Sequence, residues 1–187
     1  MAVRDIVVVD NPVLRRKAKK VGRITPDIRR LIDDMVETMR VASGVGLAAP
    51  QVGASQRVIV VEYGQDEEEA APAEARKPIK KKLYAVINPE IRYRSADRVE
   101  GVEGCLSIPG WAGAVERHAE VEVRGLNRAG GKFKLRATGW LARIFQHEID
   151  HLDGILFTDR VVAPDKLWPT TPSDPTAPDR IPTVRIG

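Results

Sequence analysis

Apolar residues recur along this chain with two periods, and the periods divide it into helices and strands. Between Thr25 and Gly44, the residues Ile28, Leu31, Ile32, Met35 and Met39 fall three or four positions apart and form one stripe of a helix. Thr25 suits the N-cap, Pro26 suits the first helical position, and Gly44 follows the end. Residues 57–63 (RVIVVEY) and 83–91 (LYAVINPEI) are short runs rich in Val and Ile, which predict strands. Residues 113–127 and 132–139 carry strand-like patterns on either side of Ala129-Gly130-Gly131 and predict a hairpin. Residues 140–152 contain no Pro or Gly and run toward Gly154, a suitable C-cap, so they predict a second helix. Leu141, Phe145, Ile149 and Leu152 cover one of its sides. Trp140, Ile144, His147 and His151 cover another, with Glu148 at the edge. Apolar residues on both sides predict a helix in the middle of the domain.

Two stretches break the pattern. Residues 64–82 (GQDEEEAAPAEARKPIKKK) form an acidic block followed by a basic block, which predicts a mobile charged loop. Its end, Lys80, Lys81 and Lys82, is a candidate for a transient ribosome contact; a solvated hairpin tip is the plainer reading. From Ala163 on, Pro164, Pro169, Pro172, Pro175, Pro178 and Pro182 exclude a helix and predict extended chain over the surface. The expected organisation is one domain over 1–162 and a Pro-rich tail over 163–187.

Composition narrows the class. The 187 residues can bury one core without staples, and 43% hydrophobic with 30% charged residues describes a globular protein. A net charge of +4 permits contact with polyanions without requiring it, so direct DNA binding is not expected. The single Cys excludes an intramolecular disulfide and suits a reducing compartment, so the expected location is cytoplasmic. The apolar run near Met1 is too short for a signal peptide, and no segment approaches the ~20 apolar residues of a membrane span.

The candidate chemistry lies in the second helix, in the run QHEIDH. His147 and His151 stand four residues apart, so both imidazoles project from one face and can bind one metal. Glu148 can then reach a metal-bound water without being a ligand. The plain alternative is a pair of polar surface residues, but two of only three His in the chain fall here, on a helix that reads as buried. A catalytic site takes three protein ligands. No Glu follows Glu148, and Phe157 stands where a longer form of this signature carries its third His. Three candidates remain. Asp165 opens the tail, and His118 lies in a charged alternation that reads as a polar strand face. Cys105 sits in the Gly- and Pro-rich stretch VEGVEGCLSIPGW, where the backbone can bend close to another group. A lone Cys is often an inert core residue; two ligands lacking a third favour Cys105.

Three motifs, GVGLAAPQ (44–51), EGCLS (103–107) and QHEIDH (146–151), together and in this order resemble those of peptide deformylases. The resemblance spans about residues 10–162 and leaves out the charged loop and the tail. It implies an α+β fold with a central metal-binding helix packed against antiparallel strands. It implies a hydrolase that removes the formyl group from the N-terminal formyl-methionine of new polypeptides, releasing formate. Cys105, His147 and His151 would then bind one divalent metal ion, Fe(2+) by resemblance, with Zn(2+) or Ni(2+) as alternatives. Glu148 would be the general acid and base. Gln51 and the Leu106 N–H would hold the oxyanion, and Gly46, Glu103 and Gly104 would lie beside the substrate. Arg143 departs from the apolar residue that family members often have there, which leaves the shape of the methionine pocket open. A zinc endopeptidase is the nearest rival, but it lacks its downstream ligand. A ribosome-associated module with a structural zinc would close its fourth position with protein, and Glu148 distinguishes that case.

Overall fold

The computed structural model describes residues 2–64 and 81–170. Pro26–Val41 forms helix α1, capped by Thr25, whose hydroxyl accepts the Ile28 N–H at 3.4 Å. Gly46–Ala48 (β1), Val58–Tyr63 (β2), Lys82–Arg94 (β3), Arg98–Cys105 (β4), Ile108–His118 (β5), Glu120–Leu126 (β6) and Lys132–Thr138 (β7) follow, then helix α2 (Gly139–Leu152) and strand β8 (Leu167–Pro169). The strands make two antiparallel sheets, one ordered β1-β2-β3-β6-β7 and one ordered β4-β5-β8. The architecture is α+β, as the resemblance implies.

The large sheet is covered on both faces, which is why β2 reads as an unbroken apolar run. Val58 and Val60 pack with Leu31, Ile32, Met35 and Met39 of α1. Ile59 and Val61 point the other way, onto Leu141, Ala142, Phe145, Ile149 and Leu152 of α2. The opposite side of α2 meets β4 and β5 of the small sheet, so the helix lies between the two sheets. A third apolar cluster, with Leu14, Ile108, Val115, Leu156, Phe157 and Val161, closes the small sheet.

One expected strand is two. Residues 113–127 alternate without interruption, yet the chain turns at Ala119 and its halves enter different sheets. The Ala119 N–H donates to Asp97 O at 2.9 Å and its carbonyl accepts the Gly139 N–H at 3.0 Å, outside both ladders. Period-two patterning reports which face a side chain takes, not which strand lies beside it, so the corner leaves no mark in the pattern.

The chain beyond 162 is also used by the fold. Val162 N–H donates to Ala114 O at 3.1 Å, and β8 pairs with β5 through Leu167↔Gly113 and Trp168↔Ala112. Where the sequence predicts extended chain from Ala163 on, Pro164–Lys166 make one short 3-10 turn, since proline is tolerated at the start of a helix, and Leu167–Pro169 then run extended as β8. The sheet thus runs past the boundary drawn at 162. Of the charged loop, residues 65–80 lie outside the described residues, as do 171–187 of the tail; Lys82 already belongs to β3. Among the described residues, no helix is long and apolar enough to cross a membrane.

Gly154 ends α2 as the pattern predicts. Its φ is +76°, its N–H donates to His151 O at 3.2 Å, and the Ile155 N–H donates to Asp150 O at 3.0 Å. A Cβ at this position would meet Arg15 O at 2.7 Å. Gly154→Ala is therefore expected to cost at least the ~1–2 kcal/mol of a left-handed non-Gly residue, read as a lower midpoint in a denaturant melt. An unchanged midpoint would show that the turn relaxes freely.

Candidate active site

Two elements bring the donors together. α2 supplies His147 and His151, whose ring centroids lie 5.0 Å apart. β4 ends at Cys105, where a tight turn and a register shift after Gly104 carry the sulfur toward α2. Cys105 Sγ lies 3.2 Å from His151 Nε2, and the donor atoms of Cys105, His147 and His151 all fall within 4.8 Å of one another. Among the described residues no other group of His, Cys, Asp or Glu converges in this way. Asp165 and His118 are not in the cluster; His118 Nδ1 instead faces Ser95 O at 2.7 Å. Phe157, in the place of a third His, is buried and stacks on the His147 ring at 6.3 Å and 21°.

The two imidazoles are held differently. His147 Nδ1 donates to Glu103 Oε2 at 2.9 Å, which turns its Nε2 toward the cluster. His151 is buried; burial first, then the charge of His147, pushes its pKa well below the ordinary value. It is a neutral imidazole, the form that binds metals.

Glu103 borders the cavity, where the resemblance places it beside the substrate, but both of its oxygens are engaged within the protein. They accept from Arg117 Nε and Nη2 at 2.8 and 2.9 Å, from Arg143 Nη1 at 2.8 Å and from His147. Burial alone would push this carboxyl up. The hydrogen bonds from Arg117 and His147 outweigh it and hold the group well below the usual carboxylate range. Arg117 is gripped from behind by Asp150 at 2.5 Å, which also accepts from Arg160 at 2.5 and 2.8 Å. Sequence reasoning missed Arg117, Asp150 and Arg160. The available signal was Arg117 standing in phase with the buried Val115 of β5, a position a charge takes only with partners.

Glu148 is 4% exposed, and its Oε2 is buried without a hydrogen-bond partner. Burial raises its carboxyl to about 7, against an opposing pull from the charge of His147. β1 crosses directly over it: a Cβ on Gly46 would stand 2.4 Å from Glu148 Oε1, so only Gly permits this approach.

Gln51 sits in the short 3-10 helix Ala49–Val52. Its Oε1 accepts the Ala48 N–H at 2.8 Å, which settles the orientation of the amide. The Nε2 therefore points out, 3.5 Å from Cys105 Sγ and 3.3 Å from Ser107 Oγ. The backbone N–H of Leu106, in the turn after Cys105, donates to no backbone acceptor among the described residues.

Gln51, Glu103, Cys105, Leu106, His147 and Glu148 line one cavity of about 340 Å³, with His151 beside it in contact with Cys105. Gly44, Gly46 and Gly104 give it bare backbone, and Trp140, Arg143 and Ile144 form a wall. Arg143 thus borders the cavity, which the sequence left open. The arrangement offers three converging donors, a proton-carrying carboxyl and two N–H donors in one cleft, which suits hydrolysis of an amide.

The sequence matches the family model described as polypeptide deformylase over residues 3–167. It is 52% identical to the peptide deformylase of Symbiobacterium thermophilum over 160 residues, 86% of this chain and 67% of that protein. It is 52% identical to that of Halothermothrix orenii over 163 residues, 87% of this chain and 96% of that protein. The fold superposes on the crystal structure of peptide deformylase from Ehrlichia chaffeensis with a TM-score of 0.78 and 38% identity, covering 88% of this chain and 90% of that one. The complex of the Ehrlichia enzyme with actinonin gives 0.76 at 37% identity, covering 89% and 92%. A family match that takes in the large sheet, both helices and all three motifs, with relatives 52% identical over most of their length, means that the chain belongs to the polypeptide deformylase family.

Proposed function

We propose that the protein hydrolyses the N-formyl amide of the formyl-methionine that begins newly made polypeptides, releasing formate. The observation that carries this reading is Glu148, a buried carboxyl with an unpartnered oxygen, lining one cavity with Cys105 and His147, two of the three converging donors that His151 completes. Cys105, His147 and His151 would hold one divalent metal ion. The donors fit: one sulfur and two imidazoles suit ferrous iron, zinc or nickel, and three protein ligands leave a coordination position open. We assign ferrous iron, as the resemblance implies, with zinc and nickel as the alternatives that metal analysis separates. When bound, the ion acidifies a water and polarises the substrate carbonyl.

The protein's own residues supply the remaining chemistry. Glu148 accepts the proton of the attacking water and returns it to the departing amine. Its carboxyl, lifted by burial to about 7, can move a proton in either direction near neutrality. Gln51 Nε2 and the Leu106 N–H donate to the formyl oxygen as it becomes negative. Gly46 and Gly104 let the substrate backbone lie close, and the formyl carbon bears only hydrogen, so a narrow site excludes bulkier acyl groups. We place the protein in the cytoplasm, where a metal-binding Cys stays reduced. The basic run 80–82 is our candidate for a transient ribosome contact, tested by cosedimentation.

The deciding experiment is formate release from a formyl-Met peptide by protein purified anaerobically with iron. Internal cleavage of an unformylated peptide without formate release would turn the reading to an endopeptidase. Gln51→Leu is expected to lower kcat by ~10²–10³ at nearly unchanged KM. Because the Ala48 N–H also loses its acceptor, a stability loss of ~1 kcal/mol should accompany it. An unchanged kcat would remove Gln51 from the mechanism.

A further inference from the structure

Among the described residues, three side chains of α2 join it to β4 by polar contacts: His147 to Glu103, His151 to Cys105, and Arg143. The first two belong to the proposed metal site. Arg143 alone makes the connection without it. Its Nη2 donates to Val99 O at 2.6 Å, and its Nη1 donates to Glu103 Oε1 at 2.8 Å and to Gly101 O at 3.4 Å. Nη1 also reaches Val115 O of β5 at 2.8 Å. The guanidinium lies against the bare backbone of Gly101, where a Cβ would stand 2.8 Å from its Cζ and Nη2. Arg143 and Gly101 therefore fit as a pair.

β4 needs such a fastening. It is an edge strand of its sheet, and among the described residues only β5 supports it within the sheet. Its last residues, Glu103, Gly104 and Cys105, border the cavity, and Glu148 borders it from α2. We propose that Arg143 is a positioning residue that clamps edge strand β4 to α2 independently of the metal, and so sets the distance across the cavity between β4 and Glu148. A Lys cannot replace it, because one ammonium cannot span two strands and a carboxylate in a fixed fork.

The test uses Arg143→Met, which keeps an unbranched stem without donors, Gly101→Ala, which displaces the guanidinium without removing its charge, and Arg143→Lys. In metal-free protein, amide hydrogen exchange over residues 98–105 is expected to rise about tenfold or more in Arg143→Met and Gly101→Ala, with α1 and β2 unchanged. In metal-loaded protein, kcat on a formyl-Met peptide is expected to fall about 10²-fold, as for an angstrom of misplacement, and Arg143→Lys is expected not to rescue it. Parent-like exchange and kcat in both Arg143→Met and Gly101→Ala would overturn the clamp. So would a change confined to the preference between Met and other first residues, which would make Arg143 a cavity wall. The kinetic arm rests on the proposed deformylation, but the exchange arm does not; a parent protein that releases no formate would overturn that reading alone.

Discussion

Glu148→Ala is expected to keep its metal and to lose nearly all turnover. The carboxyl is not one of the three converging donors, so metal content should stay at one ion per chain. Proton transfer by a placed side chain contributes ~10²–10⁴ in rate, and among the described residues lining the cavity no other carboxylate is free to substitute. Glu103, the other acid at the cavity, is held by Arg117, Arg143 and His147. The same residue predicts a pH signature in the metal-free protein. The folded-state pKa of Glu148 is raised to about 7 from an ordinary 4.5. A raised acid leaves the fold unburdened below the lower value. It burdens the fold increasingly as pH climbs between the two, and fully above the upper one. Metal-free Glu148→Gln should therefore gain stability over the parent at pH 8 relative to pH 4, by about 3 kcal/mol for the 4.5-to-7 interval. Denaturant melts of both proteins at the two pH values measure this. Loss of the metal in Glu148→Ala would give the residue the wrong role, and a pH-independent difference would contradict its burial as the cause.

Cys105→Ala, His147→Ala and His151→Ala should each abolish stoichiometric metal binding, and activity with it. Two remaining donors leave a cation half solvated, and chelator dialysis should strip it. Glu103→Gln offers a graded contrast. It leaves all three donors but removes the carboxylate that receives the His147 Nδ1 proton at 2.9 Å. Loss of such a supporting group typically weakens metal affinity 10–100-fold without eliminating it. It also leaves Arg117 and Arg143 buried with an amide in place of a charge, so a lower melting temperature should accompany it. Metal analysis of anaerobically purified variants separates these cases. Full occupancy in Cys105→Ala would sink the three-ligand assignment. Equal loss in Glu103→Gln and His147→Ala would show that the carboxylate, not only the imidazole, is indispensable to the centre.

Much of the site was legible because it follows from local geometry. The spacing of His147 and His151 needs only a helix, and the helix announces itself by its apolar period and by Gly154 at its end. β2 and α1 were legible for the same reason. The corner at Ala119 was not, since alternation continues through it while the hydrogen-bonding partners change. β1 and β8, at three residues each, are too short to show a period. Arg117 left one trace, a charge in phase with the buried Val115, but its partner Asp150, and Arg160 behind it, were invisible, because which groups pair is decided only once the sheet lies on the helix.

By itself, the sequence determined the types of the donors, the face of α2 from which two of them project, and the Gly residues that allow close approach. Its order of motifs was specific enough to point to a family. Only the tertiary structure decided that the sulfur of Cys105 reaches His151, that Gly46 lies against Glu148, and that the amide of Gln51 turns its N–H₂ toward the cluster. It also decided that the charge of Arg143 leaves the cavity for the backbone of β4. The division has a physical cause. Helical period and turn chemistry act over a few bonds, whereas burial, desolvation and ion pairing depend on which distant segments pack together.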